Sequence, residues 1–236
     1  LKQHQQQLLR LTRQDVLTGL PNRQWLTDAL PAALERAGAG GGMLALLFIA
    51  MGLGGWWLDR EAWHKQGWIL RQTGRSPTDF VDQAGMGPSL LNMGLTGALG
   101  TAYVLAVGSD LNGPTVGAIF TIVGFSAFGK HPRNIVPIML GVFIASMLKD
   151  WSADDPSAVL AALFGTTLAP IAGRFGWRWG IVAGFVHSSV AQTVGQLHGG
   201  LVLYNNGFAA GLVAAILVPV IIALQPVAKP GPGAPR

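Results

Sequence analysis

The most polar stretch inside an otherwise apolar part of the chain is HSSVAQTVGQ, at 187–196. Ser188, Gln192 and Gln196 recur every four residues, so a helix would place them on one face. His187 is a candidate proton carrier, since histidine titrates near neutral pH. Two interpretations stay open. The face lines a polar path through a membrane, or it supplies hydrogen bonds between packed helices.

Asn-Gly pairs stand at the mouths of two apolar blocks. LNGPT contains Asn112 and Thr115, and YNNG contains Asn205 and Asn206. A broken or starting helix exposes backbone N–H groups, and an asparagine amide adds a donor and an acceptor, which is how many transporters bind polar solutes. We take these four residues as solute-path candidates. The alternative is that they cap helices and form tight turns, for which Asn and Gly are the usual residues.

A short basic turn, GKHPRN at 129–134, contains Lys130, His131 and Arg133. Such side chains bind anions or lipid headgroups at a membrane surface. They are also the residues that accumulate in the cytoplasmic loops of membrane proteins without any ligand. We take them as headgroup or anion candidates, with the second interpretation left open.

The sequence lacks the patterns of catalytic and metal sites. It has no Ser/His/Asp spacing, no phosphate loop, no metal-ligand cluster and no cysteine. No acidic residue falls inside an apolar block, although an ion-coupled pump usually keeps one there. The basic residues are scattered at block ends and form no stripe, which argues against nucleic acid as a partner. We therefore expect no enzymatic activity, no cofactor and no metal.

The elements that carry these residues are apolar blocks separated by short charged turns. Each block is about 17–23 residues, the length a helix needs to cross roughly 30 Å of hydrocarbon. Of all residues, 50% are hydrophobic and 11% are charged, whereas a soluble domain carries about 25% charged residues. The sequence predicts an all-α polytopic membrane helix bundle with about six spans. The predicted spans are 86–108, 113–129, 135–149, 157–173, 178–197 and 206–224.

Composition divides the chain into four regions. Residues 1–49 read as a short cytoplasmic helical segment, 50–85 as an interfacial or cytoplasmic linker with several tryptophans, and 86–224 as the transmembrane domain. The tail 225–236 is rich in proline and glycine, which predicts disorder. The apolar run 43–58 has the composition of a buried strand, an interfacial segment or a short span.

The placement of Lys and Arg predicts the orientation in the membrane. If all six blocks cross, ten basic residues of the loops and tail lie on one side, and Lys149 alone lies on the other. Positively charged loops stay in the cytoplasm. A crossing at 43–58 would export the basic residues of the N-terminal segment, so we expect none there. This predicts a multi-pass protein of the bacterial inner membrane with both termini in the cytoplasm.

Near the N-terminus, DVLTGLPNR at 15–23 resembles the D-x-L-T-x-L-x-N-R turn that opens GGDEF domains, the diguanylate cyclases. The strand-like LALLFI extends the resemblance to residue 49. In that family a D-x-D-x-F-K motif follows, whose aspartate binds the metal that activates GTP. Here Ala50, Gly52 and Gly55 take its place, and the GG[DE]EF signature is absent. Without carboxylates to hold the cations, we expect no cyclase activity.

From about residue 54 to 224, the chain resembles a family of bacterial multi-span membrane proteins of unknown function. The likeness is carried by GPSLLNMGLTG (87–97), DLNGPTVGAIFTIVGFSAFGKHPRNIVPIMLGV (110–142) and LYNNGFAAGLVA (203–214). Members of that family look like a duplicated unit, and this chain resembles mainly the second copy. A weaker resemblance to urea transporters rests on their N-x-x-x-G helix entry, and it adds Asn92 to the solute-path candidates.

The leading hypothesis is a transporter- or channel-like half unit that passes a small polar solute. The alternatives are a membrane sensor fused to an inactive diguanylate cyclase fragment, and a non-functional gene-fusion fragment. The expected partners are the lipid bilayer, a small polar solute and a second copy of the chain. One copy of a duplicated unit leaves a polar face unpaired, and a homodimer would cover it. We place Ser188, Gln192, Gln196, Asn112 and Asn206 on that face.

Overall fold

A computed structural model describes residues 40–75, 78–194 and 202–225. The secondary structure of these residues is helical and includes no strand, which confirms the all-α prediction. The helices are α1 (Gly40–Leu58), α2 (Ala62–Ile69), α3 (Phe80–Ala84), α4 (Met86–Ala106), α5 (Gly113–Phe125), α6 (Pro132–Leu148), α7 (Pro156–Gly165), α8 (Ala169–Phe175), α9 (Trp177–Thr193) and α10 (Val202–Leu224). One 3₁₀ turn, Thr166–Leu168, joins α7 to α8.

Helices α1 and α4 form a close antiparallel pair, and glycines allow the close approach. A Cβ atom on Gly55 would lie 2.5 Å from the carbonyl oxygen of Gly87. At the other end of the contact, a Cβ on Gly97 would lie 2.4 Å from the ring of Phe48. Small residues at the contact let two backbones pack without side chains between them, as in membrane helix pairs.

Helices α6 and α9 form a second antiparallel pair of the same kind. A Cβ on Gly141 would lie 2.1 Å from the carbonyl oxygen of Ile181, and one on Gly184 would lie 2.0 Å from that of Ile138. These distances leave no space for any side chain. Gly180 and Gly184 form a G-x-x-x-G spacing, so the sequence itself carries the signal for this contact.

Apolar side chains fill the space between the pairs and also cover the outside. One buried cluster contains Phe48, Ile119 and Leu163, from α1, α5 and α7. On the outside, α10 is the clearest case: its exposed apolar residues include Leu212, Ile216, Val220, Ile222 and Leu224. A continuous exposed apolar surface of this kind suits lipid rather than water.

The prediction of about six spans is not confirmed. By length and composition, three helical stretches can cross a membrane: Met86–Ala106, Pro156–Phe175 and Asn205–Leu224. The pair α1 and α2 adds a fourth if it counts as one span, although it bends by 111°. Helix α5 has 13 residues, about 20 Å at 1.5 Å per residue, and falls short of the hydrocarbon thickness.

The strand-like reading of LALLFI is wrong. Leu44–Ile49 lie inside helix α1, which continues without a break through Ala50 to Leu58. A short apolar run does not by itself distinguish a strand from a buried helix, and here the helical form packs glycines against α4. Residues 1–39, which carry the rest of the GGDEF resemblance, and residues 226–236 of the predicted tail lie outside the described residues.

Candidate functional site

Three basic loops meet at one end of the bundle. The first precedes α3, the second is GKHPRN, and the third joins α8 to α9. Gly74 and Gly129, both with positive φ angles (74° and 112°), bring the first two loops together: a Cβ on Gly129 would lie 3.0 Å from the Cα of Gly74. A Cβ on Gly173, in the last turn of α8 before the third loop, would lie 2.1 Å from the carbonyl oxygen of Thr73. The distribution of Lys and Arg along the sequence predicted that these three loops lie on the same side of the membrane.

Asn92 of α4 holds the basic turn in place. Its Nδ2 donates hydrogen bonds to the carbonyl oxygens of Ser126 and Lys130, each at 2.8 Å. Its Oδ1 accepts a hydrogen bond from Gln66 Nε2 of α2 at 2.9 Å. Asn92 is completely buried, and these contacts use both ends of its amide. The side chain therefore fastens α2 and the basic turn to α4, and no free group remains for a solute.

Lys130 points into the protein rather than toward the surface. Its side chain is 8% exposed, and Nζ donates a hydrogen bond to Thr166 Oγ1 at 2.8 Å. Nζ also lies 5.1 Å from the centre of the Phe125 ring. Burial lowers the pKa of Lys130 to about 8, because a charged group loses solvation there. The structure therefore turns Lys130 away from the surface at which a headgroup or anion would bind, and its role as a headgroup or anion residue stays a prediction.

His131 is also buried, at 1% exposure. Its Nε2 lies 2.9 Å from the carbonyl oxygen of Gln72, so Nε2 carries the proton, since a carbonyl only accepts. Its Nδ1 is buried, and the side chain faces the backbone N–H of Asn134 in the capping box that begins α6. Burial lowers the pKa of His131, the bond to Gln72 opposes that shift, and the charge of Arg133 adds to it.

A pocket of about 380 Å³ lies between the three loops. His131 and Arg133 of the basic turn line it, together with Arg71 of the first loop and Trp177 at the start of α9. Arg133 and Arg71 are exposed. Of the three headgroup or anion candidates, the structure thus brings two, His131 and Arg133, to one pocket and turns Lys130 away from it.

Asn112 and Thr115 form the N-terminal cap of α5. Asn112 Oδ1 accepts from the backbone N–H of Thr115 at 3.1 Å, and Thr115 Oγ1 accepts from the backbone N–H of Asn112 at 2.8 Å. The Thr115 hydroxyl also lies 2.9 Å from the carbonyl oxygen of Asp110. This is the reciprocal capping box. Both side chains are therefore used to cap α5, and few of their hydrogen-bond donors and acceptors remain for a solute.

Three polar side chains of α9 and α10 are buried, and we refer to them together as the polar cluster. It consists of His187, Ser188 and Asn206, which are 0%, 0% and 4% exposed. His187 lies beside the Asn206 side chain and the carbonyl of Ala161, yet neither of its ring nitrogens completes a hydrogen bond. Ser188 Oγ and Asn206 Oδ1 are also unpaired. Unpaired polar atoms inside a protein are costly, about 1–3 kcal/mol each, and call for an explanation.

Other polar residues of α9 tie it to neighbouring helices. Gln192 Nε2 donates to Ser157 Oγ at 3.1 Å, and the Ser189 hydroxyl accepts from Lys149 Nζ. Asn205 of α10 donates to a backbone carbonyl of α9. These contacts are hydrogen bonds between packed helices, which is one of the two interpretations given for the polar face of 187–196.

The face proposed for a homodimer is only partly available. Ser188 and Asn206 are buried within one chain, so neither needs a second copy to cover it. Gln192 already has a partner in Ser157, and Asn112 caps α5. Gln196 lies outside the described residues.

A model of one protein family matches residues 58–223, from the end of α1 almost to the end of α10, and its description is DUF1576, a protein of unknown function. The chain belongs to this family. The DUF1576 match agrees with the resemblance to an uncharacterised membrane family, and it leaves out the segment that resembles a GGDEF domain. No curated protein and no solved structure matches the chain.

Within the DUF1576 region, several site residues had no signal in the sequence pattern. Gln66 and Gln72 stand in the tryptophan-rich linker, and Thr166 lies in an apolar block. Each becomes a partner of a predicted residue only because distant segments fold together. In the described ranges, no group of three or more His, Asp or Glu residues is placed to hold a metal ion.

Proposed function

We propose that this DUF1576 protein is a transporter- or channel-like half unit that passes a small polar solute across the bacterial inner membrane. The observation that carries the proposal is the buried polar cluster of His187, Ser188 and Asn206. Polar side chains inside membrane helices are rare, and they often mark solute paths. Among the other solute-path candidates with described side chains, Asn92, Gln192 and Asn205 bond to neighbouring segments. Asn112 and Thr115 cap α5.

The cluster suits a neutral solute. Its unpaired groups are a hydroxyl, a carboxamide oxygen and an imidazole, which offer both donors and acceptors and no fixed charge. The nearest packing partners are small: a Cβ on Gly165 of α7 would lie 2.7 Å from Cδ2 of His187, and alanines such as Ala161 and Ala209 fill the adjoining core. Because these neighbouring residues are small, modest movements of side chains would open a path for the solute at this point.

Flux measurements on the full chain in liposomes test the proposal. Stopped-flow light scattering with glycerol and with urea should show faster equilibration than in protein-free vesicles. The substitutions Ser188→Ala and Asn206→Leu should return the rate to that of protein-free vesicles. Thr193→Val is the matched control, because Thr193 is exposed on the same helix and bonds only to carbonyl groups of that helix.

The competing explanation is that the cluster holds helices together. In that case Ser188→Ala and Asn206→Leu lower the unfolding temperature and leave every measured flux equal to that of empty vesicles.

We further propose that the chain has no enzymatic activity and that two copies associate in the membrane, as one copy of a duplicated unit would. Native mass spectrometry from lipid nanodiscs measures the second point directly.

A further inference from the structure

Lys130 places a positive charge inside the bundle. Its side chain is 8% exposed, and its Nζ donates a hydrogen bond to the Thr166 hydroxyl at 2.8 Å. Within the described ranges the salt bridge present is Lys65–Asp59, so Lys130 pairs with no carboxylate there. Ionisable side chains inside a membrane bundle are rare, and they commonly mark the route of a solute or an ion.

The helices that reach Lys130 bring nothing to neutralise this charge. Helix α5 ends at Phe125, whose ring centre lies 5.1 Å from Nζ, and α4 contacts the carbonyl oxygen of Lys130 through Asn92. Helix α7 ends next to Thr166. None of these three helices contains Asp, Glu, Lys or Arg. A charge in such surroundings is weakly screened, so it acts over a longer distance than it would in water.

The break between α7 and α8 connects this charge to the polar cluster. Thr166 begins the 3₁₀ turn of the break and stands at the middle of the apolar stretch Pro156–Phe175. The preceding residue, Gly165, packs on His187: a Cβ on Gly165 would lie 2.7 Å from Cδ2 of that ring and 3.1 Å from Nε2. Two consecutive residues of the break thus contact the polar cluster on one side and the ammonium group of Lys130 on the other.

We propose that Lys130 determines the charge selectivity of the solute path: its ammonium group repels cations at the break between α7 and α8, while neutral solutes of the same size pass. The inference rests on the proposed function, because it assigns a selectivity to that path. A fixed positive charge beside a narrow path is a known kind of barrier to cations. Thr166 is a positioning residue, since it holds Nζ at the break.

Urea and guanidinium provide the test, because the two molecules have nearly the same planar shape and differ by one positive charge. Uptake of each radiolabelled compound is measured at pH 6 in liposomes that contain the full chain, with potassium and valinomycin to hold the membrane potential at zero. Urea should enter. Guanidinium should enter at least about tenfold more slowly, the effect of two unit charges about 10 Å apart at an effective dielectric constant of about 20.

Lys130→Met removes the charge and keeps a side chain of similar length. It should raise guanidinium uptake by about tenfold and leave urea uptake unchanged. Lys65→Met is the matched control, because it removes the same charge from a surface lysine paired with Asp59. Guanidinium should remain excluded in that variant.

A change of pH removes the charge of Lys130 without a substitution. Because the pKa of Lys130 is about 8, guanidinium uptake by the unsubstituted chain should rise between pH 7 and pH 9, and Lys130→Met should show no such rise. Guanidinium itself stays charged, as arginine does. The other titratable side chains on the segments around Lys130 are Tyr103, His131, Arg133, Arg174 and His187. Histidine ordinarily titrates near 6.5, tyrosine near 10 and arginine above 12, so a midpoint near pH 8 identifies Lys130.

The results separate two kinds of failure. Urea uptake equal to that of protein-free vesicles in every variant means that there is no solute path, which overturns the proposed function and this inference together. Urea uptake with equal guanidinium uptake at pH 6 overturns the role of Lys130 and leaves the path in place. So does guanidinium uptake that stays low both in Lys130→Met and at pH 9. The pH measurement uses the unsubstituted chain, so it decides the question by itself if Lys130→Met does not fold.

Discussion

The ammonium group of Lys130 donates a hydrogen bond to the hydroxyl of Thr166 at 2.8 Å, deep inside the bundle and without a carboxylate partner. Thr166 in turn donates to the carbonyl oxygen of Leu163 at 2.6 Å. The pair joins the basic turn to the break between α7 and α8. A lysine that looked like a surface charge in the sequence is therefore part of the packing.

Stability should rise at alkaline pH because of Lys130. Its folded pKa of about 8 lies below the ordinary value of 10.5. Between these two values the unfolded chain holds the proton and the folded chain does not, so the free energy of unfolding increases as pH rises. One pKa unit corresponds to about 1.4 kcal/mol, so the total is a few kcal/mol. Below pH 8 the cost of the buried charge is constant.

Chemical unfolding in detergent, followed by tryptophan fluorescence across this pH window, measures the effect. Lys130→Met should remove the rise, because the titrating group is gone. Lys65→Gln is the control, since Lys65 is a surface lysine paired with Asp59, and it should leave the rise in place. A pH profile of Lys130→Met that parallels the unsubstituted chain would contradict the assignment.

The contact of α6 with α9 should fail when a methyl group is added to it. Gly141→Ala places a Cβ at 2.1 Å from the carbonyl oxygen of Ile181, so the helices must separate, at a cost of about 1–3 kcal/mol. Gly117→Ala is the matched control: Gly117 lies in the helix α5 with nothing within 4 Å of a new Cβ. There alanine should be neutral or stabilising, by up to about 1 kcal/mol. Thermal unfolding of the two variants in the same detergent compares them, and equal unfolding temperatures would refute the close packing.

The loop between α6 and α7 should face the outside of the cell. The three basic loops contact one another at the opposite end of α6, and positively charged loops stay in the cytoplasm. Because the chain has no cysteine, Ser152→Cys introduces a single thiol at an exposed position. A membrane-impermeant maleimide should label it in intact cells, and should label Arg75→Cys only after the membrane is opened. The reverse pattern would invert the proposed orientation.

The chain should make no cyclic dinucleotide from GTP with Mg²⁺ or Mn²⁺. Ala50, Gly52 and Gly55 occupy the positions of the metal-binding motif in the GGDEF resemblance, and all three lie inside helix α1. Gly55 packs directly on the backbone of α4, which leaves no place for a carboxylate or a metal ion. Chromatography of the reaction products, with an active diguanylate cyclase as the positive control, measures this. Product above a protein-free blank would show that the assignment is wrong.

The sequence by itself determined the class of fold. Long apolar blocks with few charges predicted helices of membrane-spanning composition, and the residues Asn112 and Thr115 predicted a helix cap as one of two possibilities. These conclusions depend on local composition and short-range hydrogen bonds, which the order of residues fixes.

Only the tertiary structure decided which polar groups are used and which stay unpaired. Asn92, Lys130 and His131 find their partners in Gln66, Thr166 and Gln72, and the sequence separations of these pairs are 26, 36 and 59 residues. Hydrogen bonds over such separations depend on how the helices pack, and no local pattern specifies them. For the same reason the sequence did not distinguish Lys130, which turns inward, from Arg133, which reaches the pocket with Arg71.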